Sequence, residues 1–190
     1  MTVEEFLDWD PGEDARYELV DGRVRMMTHP APGHGRLVAR LARHLGGALE
    51  RTRPDCEPVV APGVRPRPGV DRVFVPDLVV DCGPQRRGDR LVVSPLLIVE
   101  VLSPTTREHD RMVKLPDYRR IASVQEVVLV DGERPFVEVH RRLDAERWLT
   151  LLAVGPEAVL ELETAGLALP LAELYRGLEP EGEEPAAESG

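Results

Sequence analysis

Asp77, Glu100 and Lys114 have the types and surroundings that phosphodiester chemistry needs. Glu100 sits near the end of the run Leu96-Leu97-Ile98-Val99-Glu100-Val101-Leu102. That run lacks polar alternation and is bounded by Pro95 and Pro104, so it reads as a strand buried on both faces. Asp77 interrupts a second apolar run, Val73-Phe74-Val75-Pro76-Asp77-Leu78-Val79-Val80. An ionised carboxylate inside such a strand is costly unless something pairs with it. If the two strands are neighbours, their backbones lie ~4.8 Å apart. Both carboxylates then reach one divalent ion at the ~2.0–2.1 Å that Mg²⁺ prefers. Such an ion polarises a phosphate oxygen and lowers the pKa of an attacking water. Lys114, on the charged segment downstream, would neutralise the extra charge of the transition state. Glu18 offers a further carboxylate.

Each residue also has an ordinary reading. Asp77 follows Pro76 and fits the solvated start of a strand. Glu100 fits an ion pair with a nearby arginine. Lys114 follows Asp110 by four residues, the spacing of an exposed helical pair, and Glu18 fits a solvent-facing strand position. His29 and His34 suit a loop and a helix start. Ser103 belongs to a Ser-Pro-Thr-Thr turn with no base at a diagnostic spacing. The chain has no phosphate-binding Walker loop, no Gly-x-Gly-x-x-Gly and no His-Glu-x-x-His.

These residues must be carried by particular elements. Thr2-x-x-Glu5 is a capping box that opens a short helix through Trp9. Asp21-Gly22 lies between two alternating runs, Tyr17–Val20 and Arg23–Met27, which predicts a hairpin. Leucines at 37, 41, 45 and 49 predict an amphipathic helix over 34–52. The Asp77 and Glu100 strands follow. His109 to Ala122 reads as a helix with a stripe of Met112, Leu115, Tyr118 and Ala122, kinked or restarted at Pro116. Glu126–Asp131, Pro135–His140, Arg147–Val154 and Ala158–Leu162 read as a strand meander, and Leu171–Tyr175 as a short helix. Together these indicate an α/β (α+β) fold, a mixed sheet with helices packed on it.

With 190 residues the chain suits one domain over 1–178, followed by an acidic tail, 179–190, expected to be disordered. The hydrophobic fraction is 42% but aromatics only 4%, so the core must be mostly Leu and Val. No run approaches a membrane span and no signal pattern opens the chain, so a cytoplasmic protein without membrane contact is expected. Cys56 and Cys82 lack metal-type spacing and are expected to be reduced. The net charge of -10 argues against a protein that coats nucleic acid, though not against a local site. The basic groups that bear on such a site include Arg107, Arg111 and Arg119, which bracket Lys114. They serve either as phosphate contacts or as a solvated helix face balanced by Glu108, Asp110 and Asp117.

Five motifs in order resemble the Uma2 family of restriction endonuclease-like proteins, also called domain of unknown function 820. They are Tyr17-Glu18-Leu19-Val20-Asp21-Gly22, His34 at a helix head, Val75-Pro76-Asp77-Leu78-Val79, Val99-Glu100-Val101-Leu102-Ser103-Pro104-Thr105-Thr106, and Lys114-Leu115-Pro116-Asp117-Tyr118. The resemblance runs from about Thr2 to Tyr175 and implies the PD-(D/E)XK nuclease superfamily. Implied with it are a restriction endonuclease-like fold, a central mixed sheet flanked by helices with additional antiparallel strands, and hydrolysis dependent on Mg²⁺, with Mn²⁺ as a substitute. By motif, Asp77 and Glu100 match the two metal-binding acids, with the Val101 carbonyl beside them. The superfamily's usual lysine position is Leu102 here, and Lys114 fits a lysine moved to the following helix. Glu18 matches the first-strand acid. His34 matches the helix-start histidine, a candidate nucleic-acid contact beside Arg107, Arg111 and Arg119. The implied activity is an endonuclease acting on nucleic acid, DNA in the first instance, with a homodimer as one arrangement. The rival reading is an inactive nuclease-fold module that binds nucleic acid or a protein.

Overall fold

The computed structural model describes residues 1–12 and 15–178, so the expected acidic tail lies outside the described residues. The chain begins with helix α1 (Val3–Asp8), whose Thr2 and Glu5 form the expected reciprocal capping box. Strands β1 (Tyr17–Val20) and β2 (Arg23–Met26) pair as an antiparallel hairpin. Its turn has φ of 50° at Asp21 and 76° at Gly22. Both must be positive for the hairpin turn whose twist matches the strands, and Asp-Gly is the sequence that permits it.

Helix α2 (Pro32–Thr52) starts two residues earlier than expected, because Pro32 supplies a preset φ in the first turn, where no N–H is needed. Leu37, Leu41, Leu45 and Leu49 are all buried. The central sheet follows, in the order β3 (Glu57–Val60), β4 (Leu78–Asp81), β5 (Pro95–Leu102), β6 (Glu126–Asp131), β7 (Phe136–Arg142), β8 (Trp148–Val154). Every neighbouring pair is antiparallel except β5–β6, so the sheet is mixed. A parallel pair requires a crossover. Residues 103–125 make it and carry α3 (Arg107–His109), a single π-helical stretch (Asp110–Lys114) and α4 (Leu115–Tyr118).

The sheet is covered on both faces. Val99, Val101, Val128 and Val130 join α2 and the C-terminal elements in one core. Ile98, Leu102, Val127 and Leu129 join Leu115 and Tyr118 of the crossover in another. This two-sided burial is why β5 reads as an unbroken apolar run. The C-terminal elements are the antiparallel pair β9 (Val159–Leu162) and β10 (Leu167–Pro170), then α5 (Leu171–Leu174). Among the described residues no helix is long and apolar enough to cross a membrane.

Four expectations need correction. The strand over Asp77 is shorter than its apolar run, with pairing beginning at Leu78 and Asp77 just outside it. The meander ends at β8, because β9 pairs with β10 in a separate sheet. Met112 does not join the core stripe and is 72% exposed. Leu115 N–H bonds to the carbonyl of Asp110, five residues back. The wider turn spans the stretch where Asp110 and Lys114 are buried and Met112 is exposed.

Finally, Cys56 and Cys82 are joined in a disulfide. The β3–β4 register pairs Glu57 with Asp81, and one step further along that register sets Cys56 opposite Cys82. Spacing of 26 residues gave no hint of this, since strand pairing decides it. Closing a loop of that size is worth about 3–4 kcal/mol in the chain-entropy account. Reduction, or Cys56→Ser with Cys82→Ser, should therefore lower the urea midpoint while leaving the far-ultraviolet circular dichroism of the folded state unchanged. An unchanged midpoint would show that the bridge contributes no stability.

Candidate active site

The site forms where β4 leaves β5. Their last paired residues are Leu78 and Val99, so the next step along the register sets Asp77 opposite Glu100. Pro76, one step further, has no N–H to offer the ladder. Pairing stops there, and the Val101 N–H donates instead to the Asp77 Oδ2 at 2.7 Å. His34, in the first turn of α2, contacts the same oxygen through Nε2 at 3.2 Å. Asp77 keeps a partly open side chain at 17% exposure, whereas Glu100 is closed over.

Glu100 projects to the crossover face of the sheet, where Tyr118 OH donates to its Oε1 at 2.7 Å. Lys114 Nζ contacts the same oxygen at 3.1 Å. The ammonium also meets Glu18 Oε1 at 2.7 Å and Asp110 Oδ1 at 3.2 Å. Glu18 comes from β1, and the Leu19–Val73 bridge holds that hairpin in place. Its Oε1 also accepts the Val75 N–H at 2.9 Å. Phe74 packs edge-on against both His109 and Tyr118, closing the apolar side.

One lysine therefore faces three buried carboxylates, with Asp77 close by. Burial pushes the Glu100 carboxyl well above its ordinary range; Lys114 opposes this, and Asp110, Asp77 and Glu18 add to it. Burial also raises Glu18, but His109 and Lys114 outweigh it and leave the carboxyl below its usual range. The His109 contact is 3.7 Å, an ion-pair distance rather than a hydrogen bond. Burial disfavours the Lys114 ammonium, but Glu100, Glu18 and Asp110 together hold its pKa above the ordinary lysine value. Burial, with the negative charge of Glu100 next, keeps the Tyr118 phenol protonated.

Glu18, His34, Asp77, Glu100 and Lys114 are thus brought together. The ordinary reading of Lys114 as half of an exposed pair fails, because its side chain is 4% exposed. Asp110, expected as the partner of Lys114 on an exposed face, pairs with it but is buried. His109 and Tyr118 also belong to the cluster and were missed, although Tyr118 lies four residues from Lys114 and so shares its helical face. Val101 contributes its N–H to Asp77, and Ser103 serves the turn, with its N–H bonded to Thr106 Oγ1.

The three arginines named as phosphate contacts point elsewhere. Arg107 pairs with Asp131 at 3.2 Å and Glu133 at 3.1 Å. Arg111 holds Glu138 in a two-pronged contact, both prongs at 2.7 Å. Arg119 bonds His140 Nδ1 at 2.7 Å and lies over Trp148. These partners lie on β6, β7 and β8 or in the β6–β7 turn, so the arginines brace the crossover against the sheet.

Among the described residues no group of three or more His, Cys, Asp or Glu side chains could hold a metal ion. The pair Asp77 and Glu100 suits a less demanding ion. Mg²⁺ typically takes one or two carboxylates and keeps waters or substrate oxygens for its other positions. The surplus of buried negative charge around Glu100 is of the right sign, and both donors are hard oxygens. The donor set therefore fits a magnesium-type ion completed by solvent and substrate.

The Uma2 family model, described as "Putative restriction endonuclease", matches residues 3–172. The uncharacterized protein slr1290 of Synechocystis sp. is 28% identical over 94% of this chain and 93% of its own length. A second Synechocystis protein, sll1609, also uncharacterized, is 27% identical over 85% of this chain and 92% of its own length. The crystal structure of a "putative nuclease belonging to DUF820" from Anabaena variabilis matches with a TM-score of 0.74 and 18% identity. That match covers 92% of this chain and 97% of the other, and it is a likeness of fold.

Two outcomes follow from the charge cluster. Lys114→Met strands three buried carboxylates and should cost roughly 3–5 kcal/mol of stability in urea unfolding. Glu100→Gln should act in the opposite direction, increasingly so as pH rises. A carboxyl whose folded pKa is raised stabilises the fold below its unfolded value of 4.5 and loses that contribution as pH rises through the folded value. Without divalent ions, the stability difference between Glu100→Gln and the parent should widen from pH 4 towards pH 8. A constant difference would show that Glu100 ionises normally.

Proposed function

The chain belongs to the Uma2 family, and from that premise we propose that it is an endonuclease that hydrolyses nucleic-acid phosphodiester bonds with a divalent ion, Mg²⁺ or in its place Mn²⁺. The supporting observation is the register point where Asp77 and Glu100 oppose each other with the Lys114 ammonium at 3.1 Å from Glu100. Asp77 and Glu100 would hold the ion, with the Val101 carbonyl beside them. A bound ion supplies Lewis acidity towards a phosphate oxygen. Lys114, kept charged by its three carboxylates, supplies a fixed positive charge for the extra negative charge that develops at phosphorus. Tyr118 and His34 orient the two acids, which spares the site that reorganisation during reaction. Glu18 shares the Lys114 ammonium and sets its position.

Duplex DNA is the substrate we propose, with His34 nearest the acid pair for phosphate contact. Arg107, Arg111 and Arg119 are engaged by Asp131, Glu133, Glu138 and His140, which limits their phosphate contacts. Binding is therefore expected to be weak, with a shallow salt dependence, in keeping with the net charge of -10. The closed Lys114 cluster also supports a second reading, a nuclease-fold module that binds without cutting, since its ammonium already satisfies the acids.

Cleavage of supercoiled plasmid with Mg²⁺ or Mn²⁺ separates the two readings. An enzyme should nick or linearise the plasmid, lose activity in Asp77→Asn and Glu100→Gln, and slow by roughly 10²–10³-fold in Lys114→Met. No cleavage under either ion, with DNA retained in a gel shift by parent and acid variants alike, would sink the enzymatic reading.

A further inference from the structure

The two edges of the central sheet are built differently. The β3 edge is four residues long, contains Glu57 and Pro58, and adjoins the disulfide. Charge, proline and shortness are the devices that stop a sheet edge from recruiting another strand. The β8 edge has none of them. Its seven residues, Trp148-Leu149-Thr150-Leu151-Leu152-Ala153-Val154, contain no charge and no proline. Among the described residues only β7 pairs with it.

The strand is apolar on both faces and open to solvent. Leu149 is 40% exposed, Leu151 36%, Leu152 60% and Val154 64%. Its β7 register places Leu152 opposite Glu138 and Thr150 opposite His140 on one face, and Leu151 opposite Val139 on the other. An added strand would therefore find apolar side chains above and below it as well as unpaired backbone groups. Exposed Leu143, beside the strand's start, extends the apolar surface.

We propose that β8 is the interface for a second copy of this chain, paired antiparallel about a two-fold axis at Leu151 to give one continuous twelve-stranded sheet. Several features favour a second copy over a foreign strand. An antiparallel pair about a two-fold axis uses the same patch twice, so the strand must complement itself. Full overlap of seven residues puts Leu151 against Leu151, Thr150 against Leu152, Leu149 against Ala153 and Trp148 against Val154. No charge is buried in that alignment, and small residues face large ones at three of its four kinds of pair. The inference does not depend on hydrolytic activity.

Sedimentation equilibrium of the full chain tests it. The expected mass is twice the 21.1 kDa of one chain. Leu151→Lys should give the single-chain mass with unchanged circular dichroism, because that side chain already meets solvent. Register is read independently with Leu151→Cys, which should form an intermolecular disulfide with its own copy under mild oxidation. Thr150→Cys should cross-link to Leu152→Cys in a mixture and not to itself. A single-chain mass for the parent at all concentrations, a dimer undisturbed by Leu151→Lys, or a cross-link pattern that ignores register would each overturn the proposal.

Discussion

The structure depends on one buried ammonium. Lys114 sits among Glu18, Glu100 and Asp110, with almost no water to share the load. Three carboxylates cannot stay buried together without it, and a buried lysine cannot stay charged without them. Each acid comes from a different part of the chain: a hairpin, the central strand and the crossover. Satisfying one ion therefore docks the hairpin onto the sheet and fixes the crossover's rotation. Asp110 and Lys114, four residues apart, share the inner face of the crossover, and exposed Met112 lies off it.

The neighbouring feature is a deliberate end to strand pairing. Pro76 cannot continue the ladder, and the Asp77 carboxylate receives the Val101 N–H that pairing would have taken. A backbone requirement thus fixes the orientation of a carboxylate. The same carboxylate lies beside Glu100 because antiparallel register places it there. Its partial exposure, set against complete enclosure of Glu100, gives the pair an open side and a closed side, and His34 stands at the open one.

Several arginines near the site hold the fold together. Arg107, Arg111 and Arg119 knit the crossover to β6, β7 and the turn between them, and Arg72 links Asp21 of the hairpin turn to buried Asp117 of α4. With a net charge of -10, the molecule lacks an overall basic field for nucleic acid. The site's own geometry, rather than a long-range field, must supply recognition. The two sheet edges carry a similar division of labour, one closed by proline and disulfide and the other left neutral and apolar.

Much was legible in the sequence because it depends on local rules. The capping box, the Asp-Gly hairpin, the leucine spacing of α2 and the two-sided burial of β5 follow from turn chemistry and periodicity. Asp77, Glu100 and Lys114 stood out because charge in an apolar run demands a partner. What periodicity cannot express is how distant segments meet. The Cys56–Cys82 bridge exists because two strands share a register. The helix pattern placed Met112 inside, whereas the fold turns the face of Asp110 and Lys114 there. The arginines that looked free for phosphate found partners on or beside strands 20 or more residues away. In each case the sequence determined what a residue needs, and only the tertiary structure decided which residue meets the need, because burial makes that choice through desolvation and burial is a property of the whole fold.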